Sequence, residues 1–447
     1  MIKQIWTVTI YRTLAICILC LLYLPSTAQQ WQSIGSGLNG EVKSMVVNPA
    51  GDKLYIAGKF TVADGVSVRN IVCWDGSNMI ALNGLESDSL NNLDQIDGII
   101  YFNGDLYAIG TIFLSSDTNW YYIAKWDGTN WSGIPKASFA LGMDANAYAM
   151  SVHNSKLYFG GWFTTIDGQT MNNVASWDGT NWAPVGNGTF GQISALSSYN
   201  SELYAGGFSL LGSEFIVKWN GTKWDTVGAS SGGPVMAFQE YDSKLYVSTN
   251  IGLGILSSSS WTFPATGFGN GVILDFAMLN GDLYVGGAIP QAAGTTVNNV
   301  AKWNLTSWDS LSSGMDDRVN AVVNFNGELY AGGDFLTAGG DSIMHIAKWE
   351  APSWINPSLF NNQQQVIVYP NPASDLVTLN IELGHPSNIF FELYNVHGEK
   401  VRSFTSSQKF VGFFSVTLDV ASLPSGIYYH TLLTGEHSLT GKLVIIR

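Results

Sequence analysis

At 447 residues the chain has room for two or three domains, and a hydrophobic fraction of 46% is ample for packed cores, which argues against wholesale disorder. A formal charge of −14 with only 20 Lys and Arg argues against phosphate-backbone binding, so no nucleic-acid partner is expected. Charged residues make up 12%, while 49 Gly, 16 Trp and 19 Tyr favour strands and tight turns, so an all-β protein is predicted.

The first residues combine a basic start (Lys3, Arg12), an apolar run from Leu14 to Leu24 and a small-residue site ending at Ala28. This is the pattern of an exported protein's signal peptide, residues 1–28, with Gln29 first after cleavage. Two of the three cysteines, Cys17 and Cys20, fall inside it. The remaining Cys73 has no intramolecular partner, so the scaffold is expected to fold without a disulfide. Cys17 follows Ile16 rather than a small residue, which speaks against a lipid-modified start.

From residue 29 to 354 one pattern repeats. Leu-Tyr recurs at 54-55, 106-107, 157-158, 203-204, 245-246, 283-284 and 329-330. Each copy reads as four strands, A to D. Strand A is apolar and ends in a turn such as Asn103-Gly104, Asn280-Gly281 or Asn326-Gly327, a sequence suited to the positive φ angles of a type I′ hairpin. Strand B is Leu-Tyr followed in most copies by Gly-Gly (206-207, 286-287, 332-333), which suggests close backbone approach. Strand C ends in Trp (74, 126, 177, 219, 303, 349), often with Asp-Gly next, and a second Trp opens strand D (131, 182, 224, 308). Seven four-stranded copies predict a seven-bladed β-propeller. The glycine pair and closing Trp resemble the kelch class. Trp31 looks like a D strand with no copy ahead of it, as expected if the N-terminus completes the last blade; Trp354, read as the start of the linker, is the alternative closing strand.

In such a ring, A–B and C–D turns share one end, while B–C loops and D-to-A crossovers share the other. The B–C loops 61–70, 164–173 and 336–345 vary in sequence, and loops on a rigid scaffold are where binding usually resides. Asp64, Asp167 and Asp341 lie in these loops and are candidates for a converging acidic site, against the plainer reading of turn chemistry. Calcium is the only cofactor they could serve, and no copy has the spaced acidic pattern of a dedicated calcium loop, so no cofactor or metal is expected. Trp162 and Trp120 depart from the repeated aromatic positions and are expected to be exposed binding aromatics. The other Trp and Tyr residues fit blade packing.

Familiar propeller chemistries lack their residues. A sialidase needs clustered arginines, and residues 29–354 contain only Arg69 and Arg318. A copper radical oxidase or a His-based triad would have to draw on Cys73, His153 and His345, with the two histidines expected at opposite ends. The leading expectation is a monomeric, non-catalytic surface or secreted protein that binds a glycan or protein. The alternatives are a polysaccharide lyase or hydrolase using the acidic loops, and a structural surface component.

A linker, residues 355–365, ends the repeat. Residues 366–447 then read as about seven short strands, an Ig-like β-sandwich. Tyr369-Pro370-Asn371-Pro372 with Asp375, the hairpin ending at Gly398, the segment carrying Leu423, Pro424, Gly426 and Tyr428, and a final strand begun by Lys442 together resemble the type A sorting domain of the type IX secretion system. The resemblance implies a Bacteroidota-type host, Sec export, contact with the type IX machinery, secretion or outer-membrane display, and removal of the tail with release or attachment to surface lipopolysaccharide. Pro370 and Pro372 also fix a turn, and Gly426 has the plain reading of a required backbone conformation.

Overall fold

The computed structural model describes residues 30–446 apart from 87–93, 117–119, 135–138, 141–145, 210–213, 229–232, 242, 250–251, 258–259, 267, 269–270, 304–306, 351–365, 370, 372, 388, 396–397, 406–409 and 435–436. The expected leader and linker lie outside the described residues. Every regular element described is a strand. Two compact units divide the chain at residues 353 and 354.

Seven four-stranded antiparallel sheets make up the first unit; we number them I to VII. Sheets I to VI occupy residues 42–81, 95–133, 146–184, 192–226, 235–266 and 272–310, each with strands A to D in chain order. Sheet VII is built from both ends of the unit: A is Val319–Phe325, B is Glu328–Gly333, C is Ile346–Glu350, and D is the N-terminal strand Gln30–Ser33. Trp31 lies directly opposite Trp349 in this pairing. Its ring is 2% exposed, and its indole N–H donates to the Leu311 carbonyl at 3.1 Å.

Strand A of each sheet touches strand A of the next, and the A strand of VII touches that of I. All seven A strands carry a bulge at the same place, for example between Val319 and Ala321. The glycine pair of strand B faces this bulge. A Cβ on the second glycine, such as Gly287, would collide with a strand A carbonyl. A Cβ on the first would collide with a β-branched side chain of the next sheet: Gly160 with Ile193, Gly206 with Val235, Gly286 with Val319, Gly332 with Val42. Sheet II has Ile109 in place of the first glycine, and sheet III answers with the small Ala147 in the same core cluster.

Polar groups add sheet-to-sheet bonds. Asn320 Nδ2 donates to the Val42 carbonyl at 2.9 Å, and Ser248 Oγ donates to the Ile273 carbonyl at 2.8 Å. Asp275, on strand A of sheet VI, accepts from the Phe276 N–H at 2.8 Å and, across the sheets, from the Val322 N–H at 2.9 Å. Part of the residue reaches solvent, yet the surrounding atoms desolvate the carboxyl and push its pKa up to about 7 against those two hydrogen bonds.

The hairpins follow their sequences. Asn103-Gly104, Asn280-Gly281 and Asn326-Gly327 have positive φ at both positions. The Trp-Asp-Gly segments form longer loops: Trp177 pairs with Trp182, and between them Asp178 Oδ1 accepts from the Thr180 and Asn181 N–H groups at 2.8 and 2.7 Å. The paired Trp rings pack at 4.9 Å here and at 5.1 Å for Trp31–Trp349.

The second unit has seven strands in two sheets, one of three strands (Val366–Tyr369, Leu376–Ser387, Phe410–Asp419) and one of four (Lys400–Thr405, Ile389–Tyr394, Gly426–Thr434, His437–Ile445). Val377 and Leu379 of the first sheet share a core with Phe391, Leu393, Leu432 and Leu443 of the second, so the unit is a two-layered sandwich.

Two expected outcomes follow from this packing. Trp31→Ala should lower stability by about 3–5 kcal/mol, the cost of emptying a buried Trp site, as measured by denaturant unfolding. Asp275 binds its proton more tightly folded than unfolded, so its contribution is present below about pH 4 and is lost as pH rises through about 7. Relative to Asp275→Asn, the wild type should therefore lose stability between pH 4 and 8, and parallel pH profiles for the two proteins would contradict this.

Candidate functional site

The B–C connections of sheets I, III, VI and VII are four copies of one arm, a small hairpin. Their strand pairs are Val62–Ala63 with Val66–Ser67, Thr165–Ile166 with Gln169–Thr170, Gln291–Ala292 with Thr295–Thr296, and Thr337–Ala338 with Asp341–Ser342. Each buries three apolar side chains, for example Phe60, Ala63 and Val68 in sheet I and Phe335, Ala338 and Ile343 in sheet VII. The loops read as variable are therefore a second repeated packing element.

This geometry resolves the aspartates. Asp64-Gly65 and Asp167-Gly168 are the two turn residues of their arms, all with positive φ. Ala293-Gly294 and Gly339-Gly340 occupy the same corners in sheets VI and VII. Asp341 is thus not equivalent to the other two; it sits two positions later, in the returning strand, because Gly339-Gly340 already makes the turn. Asp64 Oδ1 also accepts from the Ser36 N–H at 2.7 Å, which ties the arm to the crossover arriving from sheet VII. Among the described residues no group of three His, Cys, Asp or Glu is placed to hold a metal ion. His153 closes strand A of sheet III and His345 lies at the foot of the sheet VII arm, at opposite strand ends.

Of the two candidate aromatics, Trp120 is 43% exposed and leans on Phe113 at 5.2 Å. Trp162 is half-buried rather than exposed; it is the last residue of strand B and pairs opposite Asn146.

The residues that hold the arms were not singled out from sequence. Asn70, Asn173 and Asn299 end three arms with positive φ; their Oδ1 atoms accept from the Phe60, Phe163 and Ile289 N–H groups at 3.1–3.2 Å. Their Nδ2 groups reach forward, to Asp94 and to the Thr189 and Met315 carbonyls. The signal was present in the matching ends of 61–70 and 164–173, which both finish in Asn.

The crossovers provide a second set of caps. Asn39 Oδ1 accepts from the Thr61 and Val62 N–H groups at 2.8 Å, and Asp316 Oδ1 accepts from those of Leu336 and Thr337 at 2.9 and 2.8 Å. Aligning 34–39, 185–190 and 311–316 puts Phe190 in the place of these two caps. Among the described residues sheet IV shows no arm to cap; its strands B and C stay paired out to Phe208 and Glu214. Phe190 is 67% exposed.

In the second unit, Asn371 is stitched to the last strand: its Oδ1 accepts from the Val444 N–H and its Nδ2 donates to the Lys442 carbonyl, both at 2.8 Å. Tyr369 pairs with Thr378, while Pro370 and Pro372 lie outside the described residues. Leu423 and Tyr428 are buried, and the Tyr428 hydroxyl donates to the Pro424 carbonyl at 2.9 Å. Asp375, Pro424, Gly426 and Lys442 are exposed. Gly398 has φ of 80°, as a turn glycine should. Gly426 has neither positive φ nor a crowding neighbour, so backbone conformation does not account for it.

Residues 367–446 match the family of secretion system C-terminal sorting domains. No curated protein matches the chain. Among solved structures, the chain is similar to the extracellular domain of a hybrid two-component system from B. thetaiotaomicron (10% identity, TM-score 0.48, covering 94% of this chain) and thus spans 59% of that relative's length. It is also similar to a computationally designed protein (12%, TM-score 0.42, 72% of this chain and 100% of the other) and to PorZ, a surface component of the type-IX secretion system of Porphyromonas gingivalis (13%, TM-score 0.34, 91% and 66%). The sorting domain marks the chain for secretion or cell-surface display through the type IX system and implies contact with that machinery.

Deleting residues 366–447 should therefore leave the protein in the periplasm of its host, scored by fractionation and immunoblotting. Normal export of the truncated chain would refute the assignment.

Proposed function

We propose that the first unit is a closed seven-bladed, kelch-like propeller that acts as a non-catalytic binding module for a glycan or protein, with residues 1–28 as leader, 29–354 as propeller, 355–365 as linker and 366–447 as the sorting tail. The contact of sheet VII with sheet I, the fit of Gly332 against Val42 and the N-terminal D strand of sheet VII support closure. The host is of Bacteroidota type, and the protein works as a monomer, released or attached to surface lipopolysaccharide after loss of its tail.

One observation carries the binding reading. Among the described residues, the exposed large apolar side chains of this unit gather at the B–C end: Val62, Val66, Trp120, Tyr148, Phe190, Leu336 and Met344, with only Ile80, Tyr122 and Val152 elsewhere. An apolar end rimmed by polar turns is the ordinary mark of a recognition surface. Asp64 and Asp167 as turn corners favour binding over acid–base catalysis at the same end.

A glycan array, a screen of surface-protein ligands and a polysaccharide turnover assay on the purified protein test this. Retention of a ligand should weaken about tenfold in Trp120→Ser, on the scale of one lost aromatic contact, and stay unchanged in the opposite-end variant Val152→Ser. Turnover of any polysaccharide, or equal binding by both variants, would refute the reading.

A further inference from the structure

Phe190 does more than add to the apolar end. It overhangs a cleft of about 490 Å³ bounded by Asn187, Val217, Lys223, Trp224 and Thr226. This lies within the size range of small-ligand sites. We propose that this cleft is a neutral-glycan subsite in which a sugar ring stacks on Phe190 and Trp224; the proposal rests on the binding reading above and gives it a place and a ligand class.

Three observations converge on it. First, the platform is rigid before any ligand arrives. The crossover carrying Phe190 is pinned to sheet III through Asn172 Nδ2 to the Asn187 carbonyl at 2.9 Å, Asn173 Nδ2 to the Thr189 carbonyl at 3.1 Å and the Thr189 N–H to the Asn172 carbonyl at 3.0 Å. Gly188 has φ of 79° and packs so closely on Asn172 that no side chain fits there. A pre-ordered site does not lose ordering entropy on binding.

Second, both rings are held from behind. Phe190 tilts against Phe215 at 4.6 Å, and Trp224 packs on Trp219 at 5.4 Å while its indole N–H is used by the Val185 carbonyl at 3.2 Å. Aromatic rings fixed in this way offer their free surfaces to the C–H faces of a pyranose, which are apolar while its rim is hydroxylated. Phe190 stands where Asn39 and Asp316 cap arms, so its exposure is no by-product of a repeated structural role.

Third, the lining matches a neutral ligand. Amide and hydroxyl groups of Asn187 and Thr226 flank the rings; among the described residues no carboxylate lines the cleft, and the one cation there, Lys223, is paired with Asp225 at 2.9 Å. A charged sugar acid would find no free countercharge there.

The test uses the full chain labelled with 5-fluorotryptophan, titrated with soluble neutral β-glucan, mannan and, as a charged counterpart, polygalacturonate. A neutral polysaccharide should shift one fluorine resonance, identified by its absence in Trp224→Phe, and Phe190→Ala should weaken that binding about tenfold with an unchanged unfolding midpoint. Phe190→Tyr should restore it, separating lost stacking from lost fold. Full-strength neutral-glycan binding by Phe190→Ala, or exclusive binding of polygalacturonate or of a protein, would overturn the subsite while leaving the binding module standing. A shift that grows with protein concentration alone and disappears in Phe190→Ala would make the surface a self-association patch and overturn the subsite too. A wild type that retains no partner of any kind would take both readings down.

Discussion

The first unit depends on one contact made repeatedly: a β-branched side chain on strand A of one sheet seated over a glycine on strand B of the sheet before it. Protein interiors pack as tightly as organic crystals, so the space above that glycine cannot be shared with a Cβ. The second glycine of the pair then lets strand B pass under the strand A bulge. The pair thus serves two interfaces, one within the sheet and one between sheets. At sheets II and III the sizes are exchanged: Ile109 stands on strand B, and the strand A residue in the same core is the small Ala147. In sheet V, Ser248 and Thr249 stand in place of glycines, and Ser248 Oγ replaces tight apolar contact with a hydrogen bond to the sheet VI backbone.

This repeated contact explains which parts of the molecule could be read from sequence. Leu-Tyr, the glycine pair and the closing Trp recur because every sheet faces the same neighbour, and the type I′ Asn-Gly turns carry their own backbone angles. Trp31 was legible as an orphan D strand because its segment matches the one begun by Trp182 and no A, B or C strand precedes it. The arms were less legible. Their buried residues differ in identity, Phe60 and Ile289 or Val68 and Met171, so the repeat lies in burial and not in letters. Asp341 looked equivalent to Asp64 and Asp167 because all three adjoin glycine, whereas the hairpin register separates them. Trp162 looked free because it follows the glycine pair, but the strand continues through it.

The candidate site was legible only by subtraction. Phe190 has no motif of its own; it becomes informative when the three crossovers are aligned and the two caps, Asn39 and Asp316, are seen to serve arms that have no counterpart among the described residues of sheet IV. Local rules favour a polar residue there, and a position that departs from its repeat without a packing reason is where function is expected to lie. The sorting tail is the opposite case. Its motif residues were readable at once, yet they bear on transport alone, and Asn371 shows that part of that motif also holds the tail's own final strand in place.

Strand D of sheet VII links transport to folding. Gln30–Ser33 pairs with residues more than three hundred positions away, so the last sheet cannot be completed until nearly the whole first unit is available. Pairings of such sequence separation form slowly, because the loop must close before the contact stabilises it. If the leader ends at Ala28, a single residue, Gln29, precedes this strand. Sheet VII is completed with no disulfide to hold an intermediate, since Cys73 is the sole cysteine of residues 29–447 and is buried.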